Sequence, residues 1–485
     1  MGADPQYAKY PFLYLAQDVF NLTNTFAPKS VQQESLESLK NAISEYKMAP
    51  LYRYITHPSE GILNENTAGG SQIESLYGKG SSASGMIANK KNLLPKFGLH
   101  WDEDFYEKLR KENDEALENF KKEEEEAAEK AGDTEVQAAR GQRAEYLAMI
   151  GDKERAIAAY EELFEKTGIL GTKIDIVLAI IRMGIFYGDK LLVKKLIDRA
   201  KILVESGGDW DRRNRLKAYQ GLHLLTIRQY EASAPLLLDS LSTFTSYELC
   251  SYSSLVMYSV LVGSVSLKRC DFKSKVVDAP EIKAILGDGD ESLSVLSGNL
   301  SASSTIDKGT KESVKSSSKT VVNLSAIGQD QPKAEKAIDF SPFAKLVRSL
   351  YTGSYQSFFV ALADVETGFL RQDRYLYEHH GWFVREMRLR AYQQLLQSYR
   401  VVGLESMAND FGVSVEFLDH DLAKFIAAQR IPCTIDRVNG KGVIETNRPD
   451  NKNKQYSEVV KQGDQLITKL QKYGQAVRLR GSERA

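Results

Sequence analysis

Cysteine is scarce in this chain, three among 485 residues. Cys250, Cys270 and Cys433 lie far apart and form no CxxC pair. That argues against a disulfide framework and against a zinc site, and implies a reducing compartment. Long apolar runs are missing too. The stretch from Tyr10 to Phe20 is interrupted by Gln17 and Asp18 and leads to no small-residue cleavage site, so neither a secretory leader nor a membrane span is expected. Net charge is almost absent, with 64 basic against 65 acidic residues and a formal net charge of -1. No global field draws the chain to nucleic acid or to an anionic membrane, so partners must be found by local surfaces.

Sequence signatures of catalysis are missing as well. There is no Gly-x-Ser-x-Gly elbow, and Gly78-Lys79 fails as a phosphate loop because the upstream glycine is lacking and Gly80 follows the lysine. The six histidines, His57, His100, His223, His379, His380 and His420, contain neither HExxH nor His-x-His. His379 and His380 are adjacent, and neighbours on a helix point in different directions, so they read as surface or packing residues rather than ligands. The expectation is a protein that is not an enzyme, with no metal and no cofactor.

What is present is helix-forming sequence, 42% apolar and 27% charged, enough to bury two or three cores. Residues 1–58 read as N-terminal helices and 59–100, rich in Gly, Ser and Asn, as a flexible linker. From Trp101, Phe105, Leu109, Ala116 and Phe120 fall on one helical face, and the Glu/Lys run from Lys121 to Lys130 reads as solvated surface. Weak repeats follow over 101–240. Tyr146 to Asp152, with Ala156 and Tyr160 beyond, resembles the turn of a helical hairpin, and similar turns recur at Phe186-Tyr187-Gly188-Asp189 and Ile227-Arg228-Gln229-Tyr230, roughly 37 and then 40 residues on. A drifting period near that of tetratricopeptide arrays predicts an irregular right-handed helical solenoid. Residues 287–332 are Ser-rich without an aromatic and read as a mobile insert. Helices are expected over Gln356–Leu370 and Trp382–Val402.

Residues 404–447 read as a winged helix. Leu404, Met407, Ala408 and Phe411 follow helical spacing, Gly412 stops that helix, Ser414 caps the next, and Leu418, Leu422, Phe425 and Ile426 form its apolar stripe. Pro432 ends the helices, and Cys433 to Val438 pairs with Val443 to Glu445 across an Asn439-Gly440-Lys441-Gly442 turn. The second helix carries Glu416, Asp419 and Asp421 against Lys424, which disfavours DNA. The other use of such a unit is to offer its hairpin edge, Cys433, Thr434, Ile435, Asp436, Arg437 and Val438, to a neighbouring protein. Proline at Thr434 and Asp436 is expected to remove the edge's ladder donors and block that pairing. A patch mixing Tyr375, Tyr377, Trp382 and Phe383 with Arg371, Arg374, Arg385, Arg388 and Arg390 could stack RNA bases, but Trp382 and Phe383 are better read as core with arginines in ion pairs. Over 455–475 a last helix places Val459, Leu466, Leu470 and Tyr473 at alternating three- and four-residue steps, interrupted by Gly463; such a seam suits a bundle with helices of other chains.

A helical solenoid that ends in a non-basic winged helix and a lone terminal helix resembles the PCI-domain proteins, scaffolds of the proteasome lid, the signalosome and a translation initiation factor. The resemblance rests on Gly207 to Arg215 (GGDWDRRNR), Leu241 to Ser246 (LSTFTS), Phe383 to Arg388 (FVREMR), Phe411 to Val415 (FGVSV), Ile435 to Gly440 with Glu445 to Asp450, and Lys469 to Gly474. It implies a PCI domain over 241–447 and a non-catalytic scaffold subunit of the proteasome regulatory-particle lid. Its implied partners are other PCI-type lid subunits and the lid helical bundle, with the ATPase ring as a further candidate. Neither nucleic acid, membrane nor a homo-oligomer is implied, and the location is cytoplasm and nucleus. The alternatives are a signalosome scaffold and an RNA-binding subunit of a translation initiation complex.

Overall fold

Three matching turns set the course of the helices in the computed structural model, which describes residues 6–58, 61–62, 101–130, 132–286, 339–437, 442–447 and 451–482. Helix α5 (Asp133–Ile150) ends at Gly151, φ 80°, and the Asp152 carboxylate caps α6 (Lys153–Lys166) at Arg155 N–H. Helix α7 (Leu170–Tyr187) ends at Gly188, φ 73°, and Asp189 caps α8 (Lys190–Glu205) at Leu192 N–H. Helix α9 (Trp210–Thr226) turns at Arg228, φ 64°, into α10 (Tyr230–Ser240), with no side-chain cap at Gln229. A left-handed residue followed by a capping Asp is the local code for reversing direction between paired helices. The third turn keeps the left-handed residue and loses the side-chain cap.

Before these lie α1 (Leu13–Thr23), α2 (Lys29–Glu45), α3 (Ala49–Thr56) and α4 (Glu103–Lys130); after them come α11 (Tyr252–Ser266), α12 (Arg269–Phe272), α13 (Pro280–Leu286), α14 (Ser341–Thr352) and α15 (Tyr355–Val365). Successive helices from α4 to α11 pack on one another, and α1 packs on α7. Helices α1, α2 and α3 lie between Leu13 and Thr56. The linker 59–100 apart from Gly61 and Ile62, the insert 287–332, and Val438 with the 439–441 turn lie outside the described residues. The chain divides into two units, Met1–Met387 and Arg388–Ala485.

In the first unit α7 is buried without a break from Ile174 to Tyr187. Two of those residues are charged, and a buried charge is tolerated only when paired. Arg212 grips Asp175 with two hydrogen bonds, 3.0 and 2.7 Å, and reaches Asp209 at 2.6 Å. Arg182, fully buried, donates to the carbonyls of Tyr7 and Tyr10 and to Tyr219 Oη at 2.8 Å. The Tyr219 hydroxyl donates to Glu248 at 3.1 Å, and Glu248 also takes Arg215 at 3.0 Å. Asp211 joins Arg215 at 2.9 Å and accepts from Thr245 Oγ1 at 2.8 Å. The 207–215 and 241–246 motifs of the sequence therefore meet through these side chains. Replacing Asp175 by Asn leaves the Arg212 guanidinium with only the exposed Asp209 as counter-charge, with an expected loss of about 2–3 kcal/mol in urea unfolding, below the full cost of an unpaired buried charge. The double change Asp175→Leu with Arg212→Met is expected to recover most of that loss, because it removes both charges together.

His223 on α9 is buried and its Nε2 has no partner among the described residues. Burial, assisted by Lys194, Lys190 and Lys201 and opposed by Asp198, pushes its imidazole down to about 4. The folded chain thus resists a proton that the unfolded chain accepts near pH 6.5, so the contribution is whole above that value and is lost as pH falls toward 4. Between pH 7 and 4.5 the wild type should lose on the order of 2 kcal/mol more than His223→Leu, read from paired urea titrations.

The second unit begins within α16 (His380–Leu396) and contains β1 (Val401–Gly403), α17 (Leu404–Phe411), α18 (Val415–Ala427), β2 (Cys433–Asp436), β3 (Val443–Thr446) and α19 (Asn451–Ser482). Gly412 at φ 66° closes α17, and Ser414 Oγ accepts from Phe417 N–H at the start of α18, as the sequence predicts. Tyr392 packs edge-on against Phe411 at 5.0 Å, beside buried Met407, Leu418, Leu422 and Ile444. One expectation is corrected. The helix predicted to run from Trp382 to Val402 stops at Leu396, and Val401–Gly403 is instead a strand of an antiparallel sheet in the order β1-β3-β2. Two successive β-branched valines prefer extended backbone, and pairing with β3 supplies the hydrogen bonds that a helix would otherwise have given them.

Candidate protein-interaction surfaces

The sheet leaves two edges, β1 and β2, with no further strand beside either among the described residues. Which backbone groups face outward follows from the ladder. Asn447 N–H donates to the Pro432 carbonyl at 2.8 Å, in the register that pairs Cys433 with Thr446. Antiparallel strands alternate bonded and non-bonded pairs. Thr434 opposite Glu445 and Asp436 opposite Val443 are therefore bonded pairs, with their N–H groups turned into β3. Of the two β2 N–H groups turned away from β3, that of Cys433 donates to the Ile431 carbonyl at 2.9 Å and that of Ile435 points outward. This corrects the expectation attached to Thr434 and Asp436: proline there breaks the chain's own hairpin before it touches the edge.

Side chains on β2 alternate in the same way. Cys433 is buried and Ile435 half-buried, while Thr434 and Asp436 face solvent. Burial pushes the Cys433 thiol up, so it is a packing residue rather than a reactive one. Arg437, just beyond the strand, pairs with Asp419 of α18. The edge at β1 was not singled out by sequence reasoning. Thr446 N–H donates to Arg400 O at 2.9 Å and Leu404 N–H to Gly442 O at 2.8 Å, which turns the N–H groups of Val401 and Gly403 outward, beside exposed Tyr399 and Val401.

The acidity of α18 is partly spent inside the unit. Asp421 is buried, accepts from Tyr392 Oη at 3.2 Å and pairs with Arg388 at 3.4 Å, while Asp419 holds Arg437. The surface of α18 is thus less repulsive to phosphate than a count of its carboxylates suggests, though it gains no basic excess. Arginines of the suggested RNA patch are engaged as well. Arg371 pairs with Glu366 at 2.6 Å and buried Arg374 donates to the Ile185 carbonyl, while Arg228, outside that patch, lies over Trp382, which stacks on Tyr230 at 5.1 Å. Phe383 is core, as expected. His379 Nε2 sits 2.9 Å from Thr226 O and His380 Nδ1 2.6 Å from Tyr377 O, so each is anchored to a backbone carbonyl.

Helix α19 is the second surface. Val459, Leu466, Leu470 and Tyr473 are each more than half exposed, Leu466 at 60% and Leu470 at 61%. Tyr456 and Val477 extend the same seam at both ends, and exposed Val460 and Ile467 flank it. Tyr456 was legible from the three-and-four spacing; Val460 and Ile467, seven apart, broaden the stripe beyond a narrow seam. Eight large apolar side chains therefore stand exposed along one helix, a contiguous apolar patch on the surface of the second unit.

A helical solenoid that ends in a winged helix with open sheet edges, followed by an uncovered seam helix, defines a PCI-domain protein, and the PCI domain model matches residues 362–446. The model described as 26S proteasome subunit RPN7 matches residues 102–275, and that of the RPN7/PSMD6 C-terminal helix matches 455–477. The chain is 38% identical over 470 residues to the 26S proteasome regulatory subunit rpn7 of Schizosaccharomyces pombe, covering 97% of each. It is 37% identical to RPN7 of Saccharomyces cerevisiae, over 99% of this chain and 96% of that one. With the non-ATPase regulatory subunit 6 homolog of Arabidopsis thaliana it shares 33%, over 99% of this chain and all of the relative. The chain belongs to the family of 26S proteasome regulatory subunit Rpn7, also called non-ATPase regulatory subunit 6.

Proposed function

We propose that this chain is a non-catalytic scaffold subunit of the proteasome regulatory-particle lid, supporting lid assembly and thereby ubiquitin-dependent protein degradation. One observation carries the reading beyond family membership: α19 holds an apolar seam whose side chains are more than half exposed, area that association with another chain would bury. Its partners are other PCI-type lid subunits, through the sheet edge at Cys433–Asp436, and the lid helical bundle, through Val459, Leu466, Leu470 and Tyr473; the ATPase ring is a further candidate. The association is with different chains rather than with copies of itself. The domain scheme follows the same reading, with helical repeats over 101–240, a PCI domain over 241–447 and a bundle helix over 455–475. Cytoplasm and nucleus are the compartments such a particle occupies, and no helix among the described residues is long and apolar enough to cross a membrane.

The RNA-binding alternative loses support because three of its five arginines, Arg371, Arg374 and Arg388, are engaged by Glu366, Ile185 O and Asp421. Native purification of the tagged chain, with identification of the proteins that accompany it, is the test. Co-purification with other PCI-type and ATPase subunits of the proteasome is expected. Recovery with a deneddylating complex alone would move the assignment to the signalosome.

A further inference from the structure

The sheet of the second unit has an outer face as well as edges. Residues directly opposite one another in an antiparallel sheet put their side chains on the same face. The register therefore sets Val401, Glu445 and Thr434 in one row across β1, β3 and β2, and Gly403, Val443 and Asp436 in a second row on that face. Between them Val402, Ile444 and Ile435 point to the opposite face, where Ile444 is fully buried. The two outer rows are exposed except for half-buried Val443. Val401 is 54% exposed, and Tyr399, two residues before it, 57%.

Glu445 stands in the middle of this face, on the central strand, between Val401 and Thr434. Its carboxylate makes no hydrogen bond or ion pair among the described residues, whereas Asp436 is already engaged within the chain. Neither row contains a basic residue. Arg437, next along from Asp436, alternates to the other face and is held by Asp419. Any surface that covers Val401 and Val443 also strips water from Glu445, and a carboxylate is buried at tolerable cost only when it is paired. A purely apolar partner therefore does not fit. A lysine or arginine does, because its aliphatic stem packs on apolar side chains while its charged head stays on an acceptor.

We propose that this face docks a neighbouring lid subunit through a basic side chain, its stem across Val401 and Val443 and its head on Glu445 and the Thr434 hydroxyl. The proposal rests on the lid reading and deepens it by naming the chemistry of the neighbour at the winged helix. Through Thr434 and Asp436 the face is continuous with the β2 edge.

The test follows the full chain, co-expressed with the other lid subunits, as wild type, Glu445→Gln and Glu445→Lys. A fourth form carries photoreactive benzoylphenylalanine in place of Tyr399. Relative to wild type, Glu445→Gln is expected to lower recovery in assembled lid about tenfold and Glu445→Lys about a hundredfold, as losing and then reversing one desolvated charge pair requires. Urea unfolding of the isolated chains should not change, since Glu445 is exposed and pairs with nothing in its own chain. Photolysis of assembled lid should attach the labelled chain to a different subunit. Should Glu445→Lys unfold at lower urea, Glu445→Gln and the cross-link decide. Wild type that enters no lid overturns the lid reading and this proposal with it. Wild-type entry with undiminished recovery of the folded variants overturns this proposal alone, as does a cross-link to a second copy of this chain or to nothing.

Discussion

Ile435→Pro is expected to abolish entry into the assembled particle while leaving a soluble chain with its hairpin in place. Its N–H points away from β3 by the ladder's alternation, so proline there removes a donor that the chain itself does not use, and its ring stands in the path of an incoming strand. Thr434→Pro is the contrasting change, because it removes an N–H that bonds to β3 and should destabilise the winged helix by roughly 3 kcal/mol. Two readings separate them: urea unfolding of the purified chains, and the fraction of each recovered in assembled lid by native gel. If Ile435→Pro assembles as well as wild type, the β2 edge is not the contact, and the β1 edge at Val401 becomes the next to try by the same logic.

Aspartate at both Leu466 and Leu470 is likewise expected to abolish assembly, with almost no effect on the isolated chain. Each side chain is already about three-fifths exposed, so the folded monomer has little burial to lose there. In an interhelical seam each leucine contributes about 1.5–3 kcal/mol, and an unpaired carboxylate in its place adds a desolvation penalty. Several kcal/mol at two adjacent seam positions is enough to cut occupancy by orders of magnitude. Melting of the purified variant should match wild type, while its recovery in lid falls below detection. A variant that melts far below wild type would mean that the helix belongs to the chain's own fold and that the seam has been misread.

The local code of this protein is written openly in its sequence. Gly151, Gly188 and Gly412 mark helix ends because a left-handed residue is cheap only for glycine, and Asp152, Asp189 and Ser414 mark the next helix starts because their oxygens accept from its free N–H groups. The terminal seam was equally plain in its spacing, three- and four-residue steps of apolar side chains that the structure leaves exposed. Arg228 at φ 64° shows the limit, for nothing in an arginine advertises a left-handed turn.

Sequence alone thus determined the helical class, the repeat turns, the winged helix and the apolar seam, each of which depends on residues within a few positions of one another. Only the tertiary structure decided that Val401–Gly403 is a strand, that the Thr434 N–H points inward and the Ile435 N–H outward along the backbone, that Asp421 is taken up by Tyr392 and Arg388, and that Arg374 is buried against the Ile185 carbonyl. Those facts turn on partners brought together from distant parts of the chain. A strand is completed by its neighbour, and a charge is neutralised by whatever the fold sets beside it; neither can be read from spacing.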